Sequence, residues 1–401
     1  MIIRIISVLL ISITIISCQT NPVQNNFDRK SERLHSLVDS LSNYYRVNLN
    51  RPVADFYLSY ITAGDTFYVS SEPQQLYTAD YFFRIASITK TFTAASVMLL
   101  HQQGKLNIND VITSNIPGTS NKYIPENEDY NVPFKDEITI KALLEHRAGV
   151  FDVTNQDIPA TVIQPYAGRN YLDYVTGLPD NRYHTFTFDE LVGVVSKNNL
   201  SNFPPTSGQY KYSNTGYNIL GKIIERISGV SYSQFLRQNF FIPLELNRTI
   251  SVWQGTDIQI PEPKINSYLY ENGTYFSTTF DNMSGNVSEG NLISTSRDVT
   301  KWLKMLLTGQ AGINMSNVDL MKQVIPNGGF PYGLGINFME GLGYGHTGAH
   351  QSYLTIAAYD PSDGVTVLVG CNFWNYPDIF LQMEQMINIA KKGKEILRDP
   401  Y

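Results

Sequence analysis

Along residues 88–99 the apolar side chains Ile88, Phe92, Ala95 and Leu99 recur at steps of four, three and four. That period predicts a helix over 87–103 with one buried face. Gly104 stands where it would stop, because glycine takes the left-handed closing conformation without a Cβ clash. The same period predicts helices over 31–46 (Leu34, Leu37, Val38, Leu41), 138–147, 218–229, 292–309 and 379–397. For the helix at 292, Thr295 or Ser296 is a suitable N-cap. β-rich runs at 54–62 and 66–70 flank Ala63-Gly64-Asp65, and runs at 352–359 and 364–371 flank Asp360-Pro361-Ser362-Asp363-Gly364. Both read as antiparallel hairpins. Residues 333–339 and 343–346 read as glycine-punctuated strands. Residues 151–188 carry neither period, and a connection that long in a compact domain is usually functional.

Strand signals therefore lie at both ends of the chain and helix signals in the middle. This predicts an α+β fold. An antiparallel sheet flanked by helices would come from about 31–84 and 285–401, and a mainly helical lobe from about 85–284. A cleft between the two is a natural ligand site. The 401 residues, 42% hydrophobic and 12% aromatic, suffice for a sizeable core. Only 16% are charged, the net charge is −6 and there is no basic run, which excludes nucleic acid as an expected partner.

The first 17 residues add an address. One cation, Arg4, precedes an apolar run from Ile5 to Ile16 that is too short to span a bilayer stably. It reads as an export signal. Its end, Ile15-Ile16-Ser17-Cys18, is similar to a bacterial lipobox, so cleavage before Cys18 and acylation of its thiol are expected. Residues 18–30 would then be a polar tether and 31–401 a single catalytic domain, held at the membrane of the cell envelope by the lipid. Cys371, the other of two cysteines, would have no disulfide partner. A buried, inert thiol is expected there.

Three short stretches carry the chemistry. Ser87 and Lys90 lie three residues apart at the start of the first helix described, so they share one side. Burial disfavours an ammonium, and a neutral Lys90 could accept the Ser87 proton and make the hydroxyl a nucleophile. Few other charges fall between Arg84 and His101. Tyr212-Ser213-Asn214 follows a loop containing Pro204, Pro205 and Gly208. A lysine nearby could lower the phenol's pKa and make Tyr212 a general base, while Asn214 could bind a substrate amide. On a glycine-rich strand stand His346-Thr347-Gly348-Ala349, where substrate backbone could approach closely. The backbone amides of Ser87 and Ala349 could form an oxyanion hole. Gly216–Lys222 and Gly343–Gly348 imitate nucleotide-binding loops but lack the required flanking elements. A metal or other cofactor has no support.

Together with their flanks, these stretches resemble the serine beta-lactamase and penicillin-recognising family, in its class C-like branch with D-alanyl-D-alanine carboxypeptidases and esterases. The matching residues are Phe83–Thr93, Leu143–Gly149, Tyr212–Tyr217, Glu289–Asp298 and His346–Gly348, and the likeness spans about residues 50–375. The resemblance implies Ser87 as the acylated nucleophile, with proton work shared by Lys90 and Tyr212. It implies substrate binding by Asn214, His346, Thr347 and Gly348, and a purely structural His146. Ala148 replaces a serine of the family pattern, and Gln351-Ser352 follow the third motif where Pro-Gly is common. His346 stands where many beta-lactamases have lysine, and an imidazole pairs less well with a carboxylate than an ammonium does. The expected activity is acyl-enzyme hydrolysis of D-amino-acid peptides or small esters. A class C-like beta-lactamase, or a non-catalytic lipoprotein that binds peptidoglycan or a partner, stays open as an alternative.

Overall fold

The computed structural model describes residues 22–71, 77–271, 273–375 and 378–399. The export signal and Cys18 lie outside the described residues. The central sheet has six strands: β1 (Phe56–Ile61), β2 (Thr66–Ser70), β3 (Asn337–Met339), β4 (Gly343–His350), β5 (Tyr353–Asp360) and β6 (Val365–Cys371). Their order is β2-β1-β6-β5-β4-β3, antiparallel throughout. The chain's N-terminal hairpin thus pairs with its C-terminal one through β1 and β6, with Leu58 opposite Val369.

Both faces of this sheet are covered, and side chains alternate between them, as the two-residue period of a strand requires. On β6, Val367 and Val369 pack with α1 (Pro22–Asn43) and the last helix, Ile379–Arg398, while Leu368 faces the opposite core. Cys371 is fully buried, and burial pushes its thiol up to about 12. That opposite core is built around α2 (Thr89–Gln102), α3 (Asn214–Ser228) and α4 (Ser296–Leu307). The Trp302 ring stacks on Phe92 with centroids 3.9 Å apart, and its Nε1 donates to Thr91 Oγ1 at 2.8 Å.

Five expectations change. The tether expected over 18–30 is helical from Pro22, and Phe27 stacks on Phe67 with centroids 4.7 Å apart, so this stretch is part of the packed domain. The helix α2 is buried all round from Thr89 to Leu100 rather than on one face, because it threads the middle of the core. Residues 292–295 form a strand, not a helical turn. They pair with Phe82–Arg84 and Ile250–Ser251, and α4 starts only after its N-cap Thr295. The helix expected at 218 begins at Asn214, capped by Ser213 Oγ on the Gly216 amide. The middle of the chain also carries strands, Tyr268–Glu271 and Thr274–Ser277, beside Phe373–Asn375. The segment 151–188 is mostly irregular, as expected, with a short helix at Tyr171–Thr176.

Candidate active site

Ser87 enters α2 through a 3₁₀ turn, Ala86–Ile88. Ala86 takes a φ of +48°, a region sparsely populated by residues with a Cβ. The turn is pressed against β4: a Cβ on Gly348 would meet the Ile85 carbonyl oxygen at 2.4 Å. Only glycine at 348 lets the third motif come this close to the serine. The short β3 pairs only with Gly343–Gly345 of β4. Among the described residues, His346–His350 therefore has no strand on its outer side, and that edge borders a cleft of about 440 Å³.

Ser87, Tyr212, His346, Thr347 and Ala349 all line this cleft. Lys90 lies beneath, fully buried, with Nζ 3.2 Å from Ser87 Oγ. The Tyr212 phenol faces Ser87 closely enough for the serine hydroxyl to pull on its pKa, and Lys90 Nζ sits 4.8 Å from the Tyr212 ring centre. The hydroxyl, amine and phenol singled out in the sequence thus meet. Gly348 lies behind the wall as a spacer. Asn214 is also recessed, only 4% exposed: its backbone amide donates to Asp152 Oδ2 at 2.9 Å and its Nδ2 to Thr154 Oγ1 at 2.8 Å. Its Oδ1 is buried without a partner and can accept one more hydrogen bond. Asn155, held by Asp152 Oδ2 at 3.1 Å, presents an amide on the cleft surface.

The electrostatics differ from the sequence reading in two respects. Lys90 is not isolated: its Nζ donates to Glu289 Oε2 at 3.0 Å and to the Glu289 carbonyl at 2.9 Å, with both side chains buried. Burial pulls the Lys90 ammonium down and the Glu289 carboxyl up, each partly offset by the other. Tyr212 also departs from expectation. Burial raises its phenol well above 10, outweighing the downward pull of the nearby Ser87 hydroxyl. Tyr212 is therefore a neutral phenol at rest, suited to relaying a proton rather than to acting as a phenolate.

Sequence reasoning missed Asp152, Glu289 as the partner of Lys90, and Tyr332. Glu289 left a faint signal, an acid inside the otherwise uncharged segment 282–296. Tyr332 left none, because it lies in an irregular stretch far from each motif. Its hydroxyl is 2.9 Å from His346 Nε2 and 3.2 Å from His146 Nε2. His146, in the left-handed conformation (φ 57°) just after the helix Ile140–Leu144, turns its ring under Tyr212, with centroids 4.1 Å apart.

The family model Beta-lactamase matches residues 57–384. Protein flp of Staphylococcus aureus (strain MW2) is 24% identical over 314 residues, covering 76% of this chain and 56% of that protein. Penicillin-binding protein 4* of Bacillus subtilis is 29% identical over 168 residues, covering 42% of this chain and 30% of that protein. The chain thus spans little more than half the length of the first of these relatives, and its match covers under a third of the second. Among solved structures, the D-amino acid amidase of Ochrobactrum anthropi SV3 superposes with a TM-score of 0.71 at 23% identity, covering 92% of this chain and 100% of that one. The penicillin-binding protein homologue of Pyrococcus abyssi gives 0.68 at 25% identity, covering 91% and 77%. The expected α+β, beta-lactamase-like architecture holds, and the chain belongs to the beta-lactamase family.

Proposed function

We propose that this protein is a serine hydrolase that cleaves amide or ester bonds through an acyl-enzyme on Ser87. The reading rests on one observation above all: a buried amine 3.2 Å from Ser87 Oγ and 4.8 Å from the Tyr212 ring centre, with serine and phenol lining one cleft beside the open edge of β4. Ser87 Oγ attacks the substrate carbonyl carbon while its proton passes to the unprotonated Lys90 amine. The oxyanion is held by the Ser87 and Ala349 backbone amides. Tyr212 hands a proton to the departing nitrogen or oxygen and is replenished from Lys90. In the second half, water attacks the acyl carbon, its proton follows the reverse route, and the acid leaves with Ser87 restored. Asn214 and Asn155 are both held by Asp152, and it is the Asn155 amide on the cleft surface that meets the substrate amide; His346 and Thr347 form the opposite wall, with Gly348 behind it.

The leading substrates are D-amino-acid peptides and amides, and small esters. Two solved structures of similar fold are described as a D-amino acid amidase and a D-stereospecific amidohydrolase. The same reading makes the protein an envelope lipoprotein anchored through Cys18, and Cys18→Ala should release it from the membrane fraction. The decisive test of the chemistry is labelling by a fluorophosphonate. Labelling of the wild type that vanishes in Ser87→Ala is expected; labelling that persists in the variant refutes the assignment.

A further inference from the structure

The hydrogen bonds around Tyr332 run in one direction, and each end fixes it. At one end the Ser213 backbone N–H, which can only donate, points at His146 Nδ1 at 3.1 Å. That nitrogen must accept, so a neutral His146 carries its proton on Nε2 and donates it to the Tyr332 hydroxyl. At the other end His346 Nδ1 meets the Thr347 carbonyl oxygen, which can only accept. His346 therefore carries a proton on Nδ1. The Tyr332 oxygen accepts the His146 Nε2–H, and its single hydrogen finds its acceptor on His346 Nε2, which must then be unprotonated. The chain runs from the second motif to the third through two residues that neither motif contains.

We propose that Tyr332 and His146 are positioning residues: they lock His346 in its uncharged Nδ1–H form and so fit the cleft to substrates whose group against β4 is uncharged. On the hydrolase reading, that means an ester or a carboxamide in preference to a free carboxylate. The surroundings agree. Among the described residues lining the cleft none carries a full charge, and Tyr210, Tyr212, Phe330, Tyr332 and Trp374 supply its aromatic surface. Any charge Lys90 takes up is matched by Glu289 below the floor, so the cleft gains no net charge from it. The Arg147 guanidinium, 6.0 Å from the Tyr210 ring centre, donates to the carbonyls of Gly208 and Pro326. Burial and the nearby Lys90 further disfavour a proton on either imidazole. Asn337, buried in the wall, keeps an unpartnered Oδ1 that can accept from a neutral N–H but would repel a carboxylate.

Two measurements on the full chain test this separately. Long-range ¹⁵N–¹H spectra of the imidazoles, assigned with His146→Gln and His346→Gln, should show His346 protonated on Nδ1 and His146 on Nε2. A charged or Nε2–H His346 overturns the proposal, whether or not the protein turns over any substrate. The second compares kcat/KM for N-acetyl-D-alanyl-D-alanine with that for its carboxamide and methyl ester. The wild type should favour the uncharged forms at least tenfold, and His346→Lys should cut that ratio tenfold or more. Tyr332→Phe should lower the ratio in the same direction while Ser87 still labels. Equal or faster cleavage of the free acid by the wild type, or an unchanged ratio in His346→Lys, overturns the substrate half. No turnover of any of the three refutes the hydrolase reading and the substrate half with it, and the spectra still decide the tautomers.

Discussion

The neutral state of His346 should be visible in stability as well as in selectivity. Its imidazole is 1% exposed, and burial together with Lys90 lowers its pKa from 6.5 to about 3. In the unfolded chain the same ring protonates near 6.5. Between those two values the unfolded state binds a proton that the folded state refuses, so stability falls as pH falls through this window. The slope is about 1.4 kcal/mol per pH unit for one such group. From pH 7.5 to pH 5.0 the ring crosses 1.5 units below its unfolded value, which amounts to about 2 kcal/mol. The assay is urea unfolding of the wild type and of His346→Gln at both pH values. The variant loses hydrogen bonds at either pH, but it has no imidazole to titrate. The wild type should therefore lose about 2 kcal/mol more than the variant on acidification. Equal losses, within about 0.5 kcal/mol, would refute a buried neutral imidazole. A larger loss by the variant would reverse the sign and refute it more strongly.

Other perturbations reach different parts of the site. Glu289→Gln removes the anion that supports the Lys90 ammonium, so the acid limb of the kcat/KM profile should move to lower pH; a limb that rises or stays still contradicts Lys90 as the base. Gly348→Ala puts a Cβ 2.4 Å from the Ile85 carbonyl and must push β4 off the Ser87 turn, so kcat/KM should fall roughly a hundredfold, read from ester hydrolysis, with the far-UV spectrum unchanged. Trp302→Ala empties the fully buried contact with Phe92 and strands Thr91, which should cost about 3–5 kcal/mol in urea unfolding, far from the cleft.

Much of this arrangement was legible in local sequence, and the rest was not, for identifiable reasons. The hairpins Phe56–Ser70 and Tyr353–Cys371 follow from two-residue periodicity and turn chemistry, which are local. The meeting of Ser87, Lys90 and Tyr212 followed from motif spacing and family likeness. The Lys90–Glu289 contact joins residues 199 positions apart, and spacing says nothing about such pairs. The direction of the Tyr212 shift was misread because a nearby lysine was weighed and burial was not. Residues 292–295 carry a helix-like apolar pattern, yet pairing with Phe82–Arg84 makes them a strand, a tertiary contact overriding local preference. Tyr332 had no motif to betray it, since its role depends on two histidines brought in from elsewhere.

Acyl transfer to a single hydroxyl is the step on which the functional reading stands. Intact-mass spectrometry of the purified chain after brief exposure to a nitrophenyl ester, followed by peptide mapping, reads that step directly. One acyl group on the peptide containing Ser87, absent from Ser87→Ala, is the expected result. Turnover with the acyl group on another residue, or an adduct that survives in Ser87→Ala, would contradict it.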